Sequence, residues 1–370
     1  MSDASVLFEE HTAHGGWTLG VARLNAAQSM NALSLDMIHR LQPQLEQWAN
    51  NDQIAAVWLE GSGDKAFCAG GDIVALYRSM TEPGQAGSTR SEGEQFFEDE
   101  YRLDYLIHTF PKPVVIWGHG IVMGGGLGLM VGGSHRVVTE QSRLAMPEVG
   151  IGLYPDVGAG WFLNRMPGRT GLFLGLTGVH MNAADALFVG LADRFIPQEQ
   201  RAKVLGALLA KDLRLDPHGG VNQVLRRFER VGQPLKPSSP VREHFDVIQT
   251  LTDGDSLIEV VDNLIAYAGD DEWLMKAVKT VAKASPTSLT LHWRHYHRSA
   301  HDSLSQVFDK ELQLSLRGLK MGEFAEGIRA LLIDRDLKPR WQFPDLESVD
   351  PDLIEQFFMQ PVTDRTDRTD

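Results

Sequence analysis

From Trp117 to Gly133 the chain reads W-G-H-G-I-V-M-G-G-G-L-G-L-M-V-G-G, 17 residues without a charge, eight of them glycine. No other stretch limits the possible folds so strongly. It is too short and too often broken by glycine to cross a bilayer, which takes about 20 apolar residues. An uncharged run must still be buried, and glycines let backbones approach closely or turn sharply. The segment therefore predicts a short apolar strand over Pro113–Trp117, then a turn into a helix near Gly124–Gly126, with further glycines at the packing face. Amide groups at such a helix start, unshielded by side chains, suit a negatively charged oxygen. Close helix packing explains the same glycines equally well.

The flanking sequence places this segment in an α/β pattern. Leu7–His11 and Trp17–Ala22 read as a strand pair around His14-Gly15-Gly16. Ser34 caps a helix whose apolar residues Met37, Leu41, Leu45 and Trp48 recur at helical spacing. Ile54–Leu59 and Ser134–Thr139 are strand-like, and Phe96–Thr109 is helical. Thr81–Gly93 reads as a mobile surface loop. After Gln198 strand signals fade and helical periodicity dominates, over Val221–Val231, Ser256–Ala268, Leu274–Ala284 and Ser303–Leu332. The expected organisation is a core over 1–200, a helical region over 201–362 and a disordered tail over 363–370.

Charge narrows the partners. With 35 basic against 49 acidic side chains the net charge is −14, which disfavours a nucleic-acid backbone as ligand and requires a local basic patch for any polyanion. The N-terminus shows neither a secretory pattern nor an Arg-rich leader. The single cysteine, Cys68, fits a reducing compartment. Together these features predict a cytoplasmic protein with no membrane span.

Three segments carry candidate chemistry. In A-F-C-A-G-G-D, Ala66–Asp72, small residues let the backbone pass close to a ligand and leave an N–H free, although a plain tight turn accounts for them too. Cys68 within it reads as a small buried thiol rather than a nucleophile. The second segment is Gly124–Gly126. The third is M-P-E-V-G-I-G-L-Y-P-D-V-G-A-G, Met146–Gly160, whose prolines and glycines fold a loop able to bring Glu148 and Asp156 onto one substrate in apolar surroundings that raise a carboxyl pKa. Asp156 is also a plausible cap for a helix through Trp161–Arg165. His292, His295, His297 and His301 form the one metal-like cluster, with His297 and His301 on a shared helix face; a solvated surface explains them as well, and no metal is expected.

In this order the segments, with M-N-A-L at Met30–Leu33, resemble the crotonase (enoyl-CoA hydratase/isomerase) superfamily. The resemblance implies a ββα spiral core, an acyl-CoA substrate and an oxyanion hole from the Gly71 and Gly125 amides. Gly128 stands where hydratases of the family carry a catalytic glutamate; their second acid maps onto Glu148. P-D-V-G with Asp156, F-F-x-x-E-Y at Phe96–Tyr101 and G-E-F-A-E-G-I-R-A-L-L-I-D-R-D at Gly322–Asp336 are most similar to the hydrolase branch, which releases 3-hydroxyisobutyrate from its CoA ester in valine breakdown. That likeness implies Glu148 and Asp156 as catalytic, Glu100 and Gly125 beside them in binding substrate, and no cofactor beyond the CoA of the substrate. A homo-oligomer is expected, or else a C-terminal region folded back on its own core. The alternatives are an enoyl-CoA hydratase or isomerase, and a non-catalytic acyl-CoA binder. The family's Arg-Pro-Lys near the CoA phosphates is here Ala26-Ala27-Gln28, leaving Lys65, Arg78 or the Arg294/Arg298 helix to compensate.

Overall fold

The computed structural model describes residues 4–82 and 90–359. The centre of the expected Thr81–Gly93 loop and the 363–370 tail lie outside the described residues.

Strands β1 (Val6–Thr12) and β2 (Thr18–Leu24) form the opening hairpin, and β2 runs parallel to β3 (Ile54–Gly61). Between them, helix α1 (Leu35–Asn50) starts where the Ser34 side chain accepts a hydrogen bond from the Met37 amide, and it buries Met37, Ile38, Leu41, Leu45 and Trp48. From β3 onward the chain repeats one unit: a strand of a large sheet, a very short strand of a small sheet, then helix. The first unit is β3, β4 (Ala66–Cys68) and helices α2 (Ile73–Thr81) and α3 (Glu92–His108). The second is β5 (Val114–Gly118), β6 (Ile121–Met123) and α4 (Gly125–Gly132). The third opens with β7 (His135–Val138) and β8 (Arg143–Ala145), and β9 (Arg194–Phe195) ends the large sheet. This is the expected ββα spiral.

The large sheet has the order β1-β2-β3-β5-β7-β9 and the small one β4-β6-β8; every pairing but the opening hairpin is parallel. Because successive strand residues face opposite ways, β3 sends Val57 and Leu59 into the main core and Ala56 and Trp58 into a second apolar layer on the other face. The main core runs on into the C-terminal helices, as far as Ile354 and Phe357.

Three of those helices matter for the site: α5 (Pro286–Arg298), α6 (Leu304–Met321) and α7 (Glu323–Ile328). Helix α6 lies on α3 and buries Val307, Phe308, Glu311, Leu314 and Ser315, one stripe at helical spacing with two polar members. Helix α5 ends at Arg298, so His301 lies beyond it and does not share a helix face with His297, contrary to the sequence reading. Its His292 and His295 face the interior.

Candidate active site

The small sheet decides where the chemistry can sit. Its register pairs Ala66 with Ile121, and Ile121 to Met123 with Arg143 to Ala145, so the three parallel strands end side by side. The segments that leave those ends are Ala69-Gly70-Gly71, Gly124-Gly125 and Met146-Pro147-Glu148. Ligands of parallel sheets collect at the carboxyl ends of strands, and all three segments line one cavity of about 930 Å³.

The first segment is held by M-N-A-L. Asn31 has a left-handed backbone (φ 54°), is fully buried, and its amide donates to the Ser62 and Ala66 carbonyls at 3.0 and 2.9 Å. Leu33 donates to the Gly70 carbonyl and accepts from the Asp72 amide, both at 2.8 Å. This pairing skips the Gly71 N–H, which donates to no described group. At the second segment, Gly124 takes φ 48° and ψ −126° and α4 begins at Gly125, whose N–H is likewise unpaired among described residues. A methyl group on Gly125 would stand 3.5 Å from the Gly71 nitrogen and 2.2 Å from Glu100 Oε1. The two free amides are therefore neighbours, with Glu100 beside them, and any larger residue at 125 would have to displace the Glu100 carboxyl.

Glu148 follows β8 and Asp156 lies in the loop after it; both side chains are buried and both line the cavity with Glu100, Gly71 and Gly125. Every residue expected at the site is thus brought together. Asp156 does not cap a helix with its side chain: the following helical turn, Ala159–Phe162, has Gly158 at its N-cap, and Asp156 Oδ2 instead accepts the Tyr101 hydroxyl at 2.6 Å. Burial, and then the Glu311 charge, raise the Asp156 carboxyl to about 7 despite that hydrogen bond. Burial and the Asp156 charge push Glu148 well above the usual carboxylate range. Burial and the neighbouring acids push Glu100 and Asp104 the same way. Among the described residues no Lys, Arg or His pairs with any of these four, so no opposite charge offsets the cost of ionising them. Glu148 Oε2 has no hydrogen-bond partner among the described residues.

Gly128 explains what the site lacks. A methyl group there would lie 2.6 Å from Val157 Cβ and 2.9 Å from Asp104 Oδ2, so the place of a side chain is already filled. Cys68 is fully buried, and burial raises its thiol to about 12, which keeps it protonated. Of the cations considered for a polyanion, Arg294 and Arg298 are both engaged by Glu355. Neither Lys65 nor Arg78 lines the cavity; Arg143 and Lys276 do, together with His180.

Tyr101, Ser315 and Tyr154 complete the buried hydrogen-bond network, while both carboxyl oxygens of the buried Asp104 have no hydrogen-bond partner among the described residues. Tyr101 and Tyr154 both reach Ser315 Oγ, at 2.6 and 2.9 Å. The sequence reading named neither Asp104 nor Ser315: the helical spacing of Asp104 from Glu100, four residues on, is a signal that could have found it, whereas Ser315 lies 159 residues beyond Asp156 and no local pattern announces it.

The family model for enoyl-CoA hydratase/isomerase matches residues 19–358. The chain belongs to that family. A zebrafish (Danio rerio) relative named 3-hydroxyisobutyryl-CoA hydrolase, mitochondrial, is 40% identical over 341 residues, 92% of this chain and 86% of the relative. The human protein of the same name is 36% identical over 340 residues, with the same coverage of each. Among solved structures, an enoyl-CoA hydratase from Rhodobacter sphaeroides superposes with a TM-score of 0.82 at 33% identity, covering 96% of this chain and 97% of its own. A carnitinyl-CoA dehydratase from Mycobacterium thermoresistibile gives 0.84 at 33%, covering 98% of both. This family member is an enzyme by that kinship. The cytoplasmic expectation is corrected: the zebrafish and human relatives are both named mitochondrial. A lone reduced thiol fits any reducing compartment and so does not choose between them.

Proposed function

We propose that this enzyme hydrolyses a short, branched β-hydroxyacyl-CoA thioester, with 3-hydroxyisobutyryl-CoA as the reference substrate. One observation carries the reading: Glu148 and Asp156 share a cavity with the free Gly71 and Gly125 amides, while Gly128, walled in by Val157 and Asp104, offers no second acid. In this reading the two amides hold the thioester oxygen as it gains charge, each donor contributing about 3 kcal/mol to the barrier reduction. Glu148, made a stronger base by its burial, attacks the carbonyl and expels the CoA thiolate as it forms an anhydride, or takes a proton from an attacking water. Asp156, steadied by Tyr101, orients the substrate hydroxyl or the water. Glu100, kept protonated by burial, donates to substrate oxygen. Arg143 and Lys276 supply the basic patch that the −14 charge calls for.

Release of free thiol from 3-hydroxyisobutyryl-CoA is the test, with Glu148→Gln alongside; full activity in that variant sinks the assignment. One turnover in ¹⁸O-water then separates the routes, since label enters Glu148 only through an anhydride. The 33% identity to a hydratase and a dehydratase supports a second reading, hydration of an enoyl-CoA. Loss of enoyl absorbance from crotonyl-CoA without thiol release would favour it.

A further inference from the structure

The loop that carries Asp156 has local backbone bonds, such as the Ala159 amide to the Asp156 carbonyl at 2.9 Å, but its side-chain anchor comes from a distant helix. Glu311, fully buried on α6, accepts the Gly158 amide on Oε2 at 2.6 Å and the Gly160 amide on Oε1 at 2.9 Å. Its backbone carbonyl accepts the Tyr154 hydroxyl at 2.8 Å. Residues on both sides of Asp156 are thereby tied to residue 311. Between the ties, Val157 sits at φ 53°, a left-handed conformation that a β-branched side chain resists. The loop would relax away from this shape if it were released.

Glu311 is itself fixed. His295 Nε2 on α5 lies 2.9 Å from Oε1, and the ring's Nδ1 lies 3.2 Å from the buried Ser299 hydroxyl. Both members of the pair are at most 1% exposed. A methyl group on Gly160 would come within 2.4 Å of His295 Nε2, so the loop and the pair fit only with glycine there. Ser315, one turn along α6 from Glu311, bonds the Tyr101 hydroxyl that reaches Asp156. One face of α6 thus sets the backbone and the side-chain direction of Asp156.

We propose that Glu311, braced by His295, is a positioning residue that holds the 154–160 loop in its strained shape and so aims Asp156 into the cavity. This rests on the hydrolase reading only for the role of Asp156; the anchoring itself does not need it. The titratable groups facing Asp156 are Glu100, Tyr101 and Asp104 from α3, Glu148 and Tyr154 from its own segment, and Glu311 from α6 with His295 behind it.

The experiment compares wild type, Glu311→Gln, Asp156→Asn and the double variant. An amide at 311 can accept from one loop N–H and not from both. The expected result is a fall in kcat of about 100-fold with KM nearly unchanged, the scale of a misplaced catalytic group. In the Asp156→Asn background the same change costs nothing further, because Glu311 acts through Asp156. The acidic limb of the pH–rate profile moves to lower pH when the Glu311 charge is gone. Hydrogen exchange reads the anchor without substrate, with protection lost at the Gly158 and Gly160 amides. Should Glu311→Gln fail to fold, the apolar pair Glu311→Met with His295→Leu carries the same expectations, since apolar residues of similar volume often replace buried polar pairs. Equal losses in both backgrounds, unchanged kcat and pH limb, or collapse of both variants would overturn the proposal. Absence of thiol release by wild type alone would overturn the hydrolase reading, with the exchange result still standing.

Discussion

Asp156→Asn should make the protein more stable at pH 8 while disabling it. The carboxyl moves from an ordinary 3.8 to about 7 on folding, and a shift of that size corresponds to about 4 kcal/mol. The sign follows from proton binding. Between about pH 4 and pH 7 the folded state keeps a proton that the unfolded chain has released, so stability falls as pH rises through that window. Above it the full cost is present. Asparagine never ionises and so escapes it, and its amide oxygen still accepts the Tyr101 hydroxyl with a loss of about 1 kcal/mol relative to a charged acceptor. The net expectation is about 3 kcal/mol of added stability at pH 8, shrinking to less than about 1 kcal/mol at pH 5. Urea unfolding of both proteins at the two pH values, without substrate, measures the difference directly. A gap independent of pH, or a wild type more stable at pH 8, would refute the claim that the site stores uncompensated charge.

The same electrostatics places the acidic limb of the wild-type pH–rate profile above the ordinary carboxylate range, because burial keeps both Glu148, the attacking or proton-accepting carboxyl, and Asp156 protonated there; a limb near 4 counts against it. Gly125→Ala keeps its N–H, but its new methyl group meets Glu100 Oε1 at 2.2 Å and must push that carboxyl out of the site, so it should lower kcat by about 100-fold, the scale of a misplaced group, in steady-state thiol release. Gly128→Ala crowds Val157 and Asp104 and should cost about 1–3 kcal/mol by thermal unfolding, as overpacking does. Arg143→Ala with Lys276→Ala should raise KM about 10-fold for acyl-CoA with little change in kcat, consistent with lost charged contacts, and leave acyl-pantetheine, which lacks the nucleotide phosphates, unaffected.

Much of the scaffold was legible because it obeys local rules. Ser34 caps α1 where the spacing of Met37, Leu41, Leu45 and Trp48 predicts it, and β3 begins at Ile54 as expected. The small sheet was not legible. Strands of three residues, Ala66–Cys68, Ile121–Met123 and Arg143–Ala145, are too short to show alternation and exist only through pairing with distant partners. The candidate site residues were found through motifs, whereas the register that gathers them had no local signature. Glu311 and Ser315 escaped for a related reason: a polar residue within an amphipathic helix normally faces water, and here the partner that draws both inward is a loop 150 residues earlier.

The placement of α6 also bears on how the protein comes into being. Every residue proposed to touch substrate other than Lys276 precedes residue 160, yet the helix that aims one of them is made after residue 303. A nascent or shortened chain ending near residue 300 would contain every sheet strand and both proposed acids in its sequence, but would lack α6 and the last part of the main core, leaving the Asp156 loop without its anchor. On the proposed role of Glu311, such a fragment is expected to release no thiol, with activity beginning only when the last stretch of polypeptide closes the assembly.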